Sequence, residues 1–304
     1  MRTLLSVELR RLLARRLVRI MGIAVLLGVV VAGVATTAKS HRATFATLQA
    51  EARAAHERAV AQCKRGAIPI PAEAIPPGES LDQFCQESMG TAVPQDPRFH
   101  LSHLVDVFKG TTVPMILLAW ILSASFIGAE WHAGTVTTLL TWEPRRPRVL
   151  LSKVIVCMAV AFVATVLFQA LLLGALTPAA VLRGTTEGVN GAWFRHLSGV
   201  VLRGAALASM AAGIGFALAA IARGTAAALG VAFGYLLVVE QLLGGVRPGW
   251  RSWFFTWNAA VFIHGQQLRE AIPRSPGESA LLLSLYAVGA VALGVAAFRT
   301  RDIT

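Results

Sequence analysis

Side chains able to do chemistry are few in this sequence, and most of them stand alone. The four lysines follow Ala38, Cys63, Phe108 and Ser152, so no Gly-Lys pair exists and no phosphate loop of the form GxxxxGK(S/T) can cradle a nucleotide. Neither HExxH nor GxSxG occurs, so no catalytic residues are assigned and no enzyme activity is expected of the chain itself. His100, His103 and Asp106 fall at i, i+3 and i+6, close to one face of a helix. They read as polar residues at a helix start, and no metal site is expected. Cys63 and Cys85 share a polar stretch. They would either close a disulfide loop of about 22 residues, worth up to roughly 3 kcal/mol in the chain-entropy model, or remain two free thiols. Cys157 lies in an apolar run and reads as a packing residue. Glu240 is the one acid within the 23 residues from Gly224 to Val246. An intramembrane acid is costly and is a functional candidate by default. It could contact a substrate, pair with an arginine such as Arg247, or make a structural hydrogen bond.

One stretch carries more. From Gly128 the chain reads Ala129-Glu130-Trp131-His132-Ala133-Gly134-Thr135-Val136-Thr137-Thr138-Leu139-Leu140. It continues through Trp142-Glu143-Pro144-Arg145-Arg146-Pro147-Arg148 to Ser152-Lys153. Thr135 can cap a short helix. Val136, Leu139 and Leu140 then share one face, and Pro144 and Pro147 end the element. The pattern predicts a short amphipathic helix lying on a membrane surface, with Glu130 just outside the membrane end of the preceding segment.

The elements that must hold these residues follow from composition. The chain has 304 residues, 55% hydrophobic and 14% charged, with mean hydropathy +0.62. Soluble domains carry about 25% charge, so a water-soluble fold would leave large apolar patches exposed. Six stretches are long and apolar enough to cross a bilayer as helices, which takes about 20 residues each. They are 20–38, 110–129, 154–177 (apolar to Leu182), 204–222, 224–246 and 279–298. The fold class is therefore all-α, a single six-span membrane domain. The first span reads as an uncleaved anchor rather than a signal peptide.

Short flanks set orientation. Residues 1–19, the link 130–153, Arg223 and the tail 299–304 hold 13 basic residues on one side. Segments 178–203 and 247–278 hold 7 on the other. Both termini are expected in the cytoplasm, with 39–109 outside. The net charge of +12 then belongs to cytoplasmic loops and anionic lipid contact, and no nucleic-acid partner is expected.

Three further elements can be read. Residues 1–19 form a basic amphipathic helix with Leu5, Leu9, Leu12 and Leu13 on one stripe, interrupted by Arg16. Residues 43–62, rich in Ala, Glu, Arg and Gln, predict a helix that could continue the first span, broken by Pro69, Pro71, Pro76 and Pro77. Trp250, Trp253, Phe254, Phe255 and Trp257 crowd eight positions and suit a re-entrant or interfacial segment, or an aromatic belt. Gly230 and Gly234 form a GxxxG in the fifth span, where helices can approach closely.

The 128–153 stretch resembles the ABC-2-type permeases, the membrane subunits of ABC exporters. That family combines an acid, a Gly-Thr pair, a short apolar helix and a Pro/Arg turn leading to a lysine. Here these match Glu130, Gly134, Thr135, Leu139, Leu140, Pro144, Arg145, Arg148 and Lys153. The ending Phe298-Arg299-Thr300-Arg301-Asp302-Ile303 and the six-span layout are similar too. The long loop after the first span departs from compact members.

The resemblance implies a permease subunit forming the translocation pathway in the cytoplasmic membrane of a bacterium. Glu130, Gly134, Thr135, Leu139, Leu140 and Arg145 would couple it to a separate ATPase subunit. ATP and Mg would bind that partner and not this chain. A second copy or a related permease would complete the transporter. Residues 1–19 would lie in the interface like an elbow, against membrane lipids. The alternative expectation is a membrane sensor or immunity protein that has the permease fold without transport.

Overall fold

The computed structural model describes residues 2–40, 42–65, 80–88, 96, 98–135, 145–267 and 272–300. Among these, regular structure is helical; the one bridge of strand type pairs His100 with Thr185. The helices are α1 (Arg2–Leu13), α2 (Arg16–Lys39), α3 (Arg42–Lys64), α4 (Leu81–Ser88), α5 (Leu104–His132) and α6 (Arg146–Pro178). They continue with α7 (Gly191–Ala222), α8 (Thr225–Gly234), α9 (Glu240–Val246), α10 (Phe255–His264) and α11 (Pro276–Thr300).

Six helical stretches are long and apolar enough to cross a membrane: Arg16–Lys39, Leu101–His132, Pro147–Arg183, Gly191–Ala222, Thr225–Val246 and Pro276–Thr300. The protein is thus of the multi-pass membrane type. Five of the six run past the apolar limits read from charge at one end or both, because a charge marks the edge of the hydrocarbon and not the end of the hydrogen-bonded ladder. The fifth stretch is interrupted by a π-turn at Tyr235–Val239.

The chain forms two compact units. One comprises Met1–Val30, Ser102–Gly174 and Gly188–Thr304. Its centre is α5 against α7, with α11 also packed on α7 and α10 on α11. Small residues let α5 and α7 approach: a Cβ on Gly215 would stand 3.0 Å from the Trp120 ring. The core joins Ala124, Phe126 and Ile127 of α5 to Phe216, Ala219 and Ala220 of α7 and Phe298 of α11. Asn190 caps α7, its side chain accepting from the Trp193 amide at 2.9 Å. Arg223, left-handed at φ 56°, ends α7 before α8 begins.

The other unit comprises Val31–Leu101 and Ala175–Glu187. Here α2 stops at Lys39 and α3 starts at Arg42, so the first span does not run on as one helix. The buried Ser40 hydroxyl sits at the break, donating to the Arg183 carbonyl at 2.9 Å and accepting from the Phe99 amide at 3.0 Å. Cys63 of α3 and Cys85 of α4 are joined as a disulfide, with Cα atoms 5.8 Å apart. Asp96 accepts from the Arg98 amide and guanidinium at 2.8–3.1 Å and faces His100 Nε2 at 2.9 Å.

Candidate functional site

Lys153 stands on the first turns of α6 with its ammonium removed from water; the side chain is 2% exposed. A buried ammonium must be paired, and two acids from distant parts of the chain reach it. Glu8, near the middle of α1, accepts at 2.7 Å. Glu130, in the last turn of α5, places both oxygens at 3.0 Å. Glu8 is itself 1% exposed. Two arginines flank the trio: Arg11 lies 3.6 Å from Glu8, and Arg15 lies 3.7 Å from Glu130.

Arg15 occupies the turn between α1 and α2. It donates to the carbonyls of Ser125 and Phe126 at 3.0 and 2.9 Å. Its guanidinium lies 4.5 Å from the centre of the Phe126 ring, and Lys153 Nζ lies 5.1 Å from the same ring. Burial lowers the Arg15 pKa from its ordinary value, while Glu130 and Glu8 oppose that shift. Four charges from α1, the α1–α2 turn, α5 and α6 thus tie these elements into one joint.

The end of α5 is set locally. Gly134 adopts φ +64°, a left-handed conformation that glycine takes without steric cost. The amides of Ala133 and Gly134 return to the carbonyls of Ala129 and Trp131, closing the last turn. The Thr135 hydroxyl reaches the Glu130 carbonyl at 3.4 Å. Beside this end, Trp131 packs edge-on against Phe298 of α11, and Arg223 lies over the Trp131 ring. Gly128 allows α8 to start close by, since a Cβ there would come within 2.6 Å of the Thr225 backbone nitrogen.

Of the coupling residues read from sequence, Glu130 meets Lys153, and Gly134 and Thr135 complete the turn after α5. Arg145 precedes α6, its carbonyl accepting from the Arg148 and Val149 amides. Leu139, Leu140 and Pro144, and with them the short amphipathic helix, lie outside the described residues. Glu8 was missed. Its signal was present: it is the single acid among 1–19, and it shares a face with Leu5 and Leu12 at i−3 and i+4. Leu12 is buried, whereas Leu9 and Leu13 are exposed, so the inward stripe of α1 is Leu5–Glu8–Leu12.

Glu240 is buried at the start of α9. Its carboxylate accepts from the Thr256 amide at 3.2 and 3.3 Å and from the Thr256 hydroxyl. Thr256 is the second residue of α10, so the acid satisfies an orphan amide at that helix's positive end. The neighbouring amide of Phe255 is met by the Tyr235 hydroxyl at 3.3 Å. Arg247 lies over Trp250 instead. Next to this arrangement is an apolar cavity of about 470 Å³, lined among others by Trp120, Leu218, Phe233, Tyr235, Phe255 and Tyr286. The indole nitrogen of Trp120 is buried there without a hydrogen-bond partner. Such a space suits an uncharged lipophilic molecule and offers little to a hydrophilic one.

Among the described residues no group of three His, Cys, Asp or Glu is placed to hold a metal. No protein-family model matches the chain, and no curated protein matches it.

Proposed function

We propose that this chain is the permease subunit of an ATP-driven exporter of the ABC-2 type, both termini cytoplasmic, working with a separate ATPase. The observation that carries the reading is the Glu8–Lys153–Glu130 joint. It clamps the N-terminal helix to the two helices that flank the Gly134–Arg145 link. A protein that uses the link as a lever needs its two ends held rigidly to the spans, and buried, mutually paired charges supply that stiffness. In this reading the link meets the ATPase, ATP and Mg sit on that partner, and a second copy or a related permease completes the pathway. Residues 2–13 act as the elbow in the lipid interface. The apolar cavity beside Glu240 supports cargo that is lipophilic and uncharged.

The test is a pull-down of the tagged chain from native membranes in mild detergent, followed by mass identification and an ATP hydrolysis assay. A co-purifying P-loop ATPase supports the proposal. A preparation free of any ATPase, under detergent conditions in which another ABC complex survives, contradicts it and favours the sensor or immunity reading.

A further inference from the structure

The turn Pro248–Trp253 between α9 and α10 carries an arrangement that the transport reading leaves unused. Three guanidiniums lie over three indoles. Arg247 is 5.4 Å from the Trp250 ring, Arg251 is 4.9 Å from Trp257, and Arg274, just before α11, is 4.7 Å from Trp253. Trp250 and Trp253 are nevertheless 46% and 58% exposed. Among the described residues no carboxylate lies within ion-pairing distance of any of the three arginines. Glu240 is buried and engaged with Thr256, and Glu278, which feels the Arg274 charge at longer range, accepts from the Ser275 amide. Arg251 donates its Nε to the Gly244 carbonyl at 3.0 Å, which fixes its stem.

Exposed aliphatic side chains lie on α9, which precedes this turn, and on α11, whose Tyr286 hydroxyl donates to the Trp253 carbonyl at 2.7 Å. Leu242 and Val246 of α9 are 62% and 77% exposed, and Leu281 and Leu285 of α11 are 63% and 58% exposed. Exposed indoles select the headgroup depth of a bilayer. Guanidiniums match phosphate oxygens in geometry and charge. Exposed aliphatic side chains on membrane-spanning helices match acyl chains.

We propose that the Arg247–Arg251–Arg274 patch is a binding site for an anionic phospholipid, the phosphate held by the guanidiniums and the chains lying on α9 and α11. The occupant is a lipid and not a free anion, because the guanidiniums stand beside exposed indoles at the ends of two membrane-spanning stretches, the depth at which phospholipid headgroups lie. The site does not depend on whether the chain transports anything.

The test uses the purified full chain, delipidated in neutral detergent, with phosphatidylglycerol or phosphatidylcholine added and lipid retention read by native mass spectrometry. The wild type should retain phosphatidylglycerol in preference to phosphatidylcholine. The Arg247→Gln/Arg251→Gln/Arg274→Gln variant should lose one such lipid, at about fivefold in affinity for each guanidinium that faces the headgroup. The corresponding triple lysine variant, which keeps the charge, should retain most of the preference. An Arg10→Gln/Arg19→Gln variant, altered at exposed positions of the other basic segment, should keep this lipid. Equal retention of both lipids by the wild type overturns the proposal, as does unchanged retention in the glutamine variant. Displacement of the lipid by millimolar inorganic phosphate also overturns it, since that marks a free-anion site.

Discussion

Replacing Lys153 by methionine keeps most of the unbranched apolar stem and removes the cation from between Glu8 and Glu130. At an effective dielectric of about 20, contacts of 2.7 and 3.0 Å each represent roughly 5–6 kcal/mol of gross attraction. Most of that offsets the desolvation of three charges, so the gross figure is not the cost. Removing one partner from a buried pair typically costs about 3–5 kcal/mol, because the other charge stays buried and uncompensated. Here Arg11 and Arg15 remain at 3.6 and 3.7 Å from the two acids, which places the loss near the lower end, about 3 kcal/mol. Glu8→Gln in the same background removes one stranded carboxylate. The double variant should therefore lose less than the sum of the singles, with a coupling of about 2 kcal/mol. The assay is equilibrium unfolding in mixed micelles, followed by tryptophan fluorescence. Strict additivity of the two substitutions, or a Lys153→Met variant as stable as the wild type, would show that the trio does not act as a joint.

Other outcomes follow from the same geometry. Glu240→Ala should destabilise the chain by about 1–3 kcal/mol through the orphaned Thr256 amide, whereas Glu240→Gln, which keeps an acceptor, should cost clearly less; thermal unfolding of the two variants separates them. The side chain and amide of Arg98 hold the Asp96 carboxyl far below its ordinary value of 3.8. Because the folded pKa is depressed, its stabilisation is full above pH 3.8 and lost only as pH falls below that toward the folded value. The stability gap between wild type and Asp96→Asn should therefore shrink as the pH falls below 3.8, as limited proteolysis in acid would show. Cys63 and Cys85 should resist maleimide until a reductant is added, and Cys63→Ser/Cys85→Ser should cost up to about 3 kcal/mol; labelling without reductant would refute the bond. Gly128→Ala should weaken the packing of α5 on the start of α8, with a lowered melting temperature as the readout.

The spans were legible because hydrocarbon permits few alternatives: a charge-free run of 19 or more residues has to be helical. The helix ends were less so. α7 begins at Gly191, well before the apolar run from Gly204, since Asn190 and not a change of hydropathy starts it. Half of the joint could be read. Glu130 and Lys153 stood out by their motif, while Glu8 looked like one polar residue in a basic helix. Its importance arises from a contact 145 positions away, and no local periodicity reports such a distance. The π-turn at Tyr235–Val239 left no trace in composition either, because π and α turns use the same apolar residues.

The proposed coupling of the α5–α6 link to an ATPase is tested by ATP hydrolysis in the complex purified through this chain, comparing wild type with Gly134→Pro at matched yield and membrane insertion. The wild type should bring down an active ATPase, and the variant should lose either the partner or its permease-dependent turnover. Equal turnover in both preparations, or no ATPase in either, would contradict that coupling.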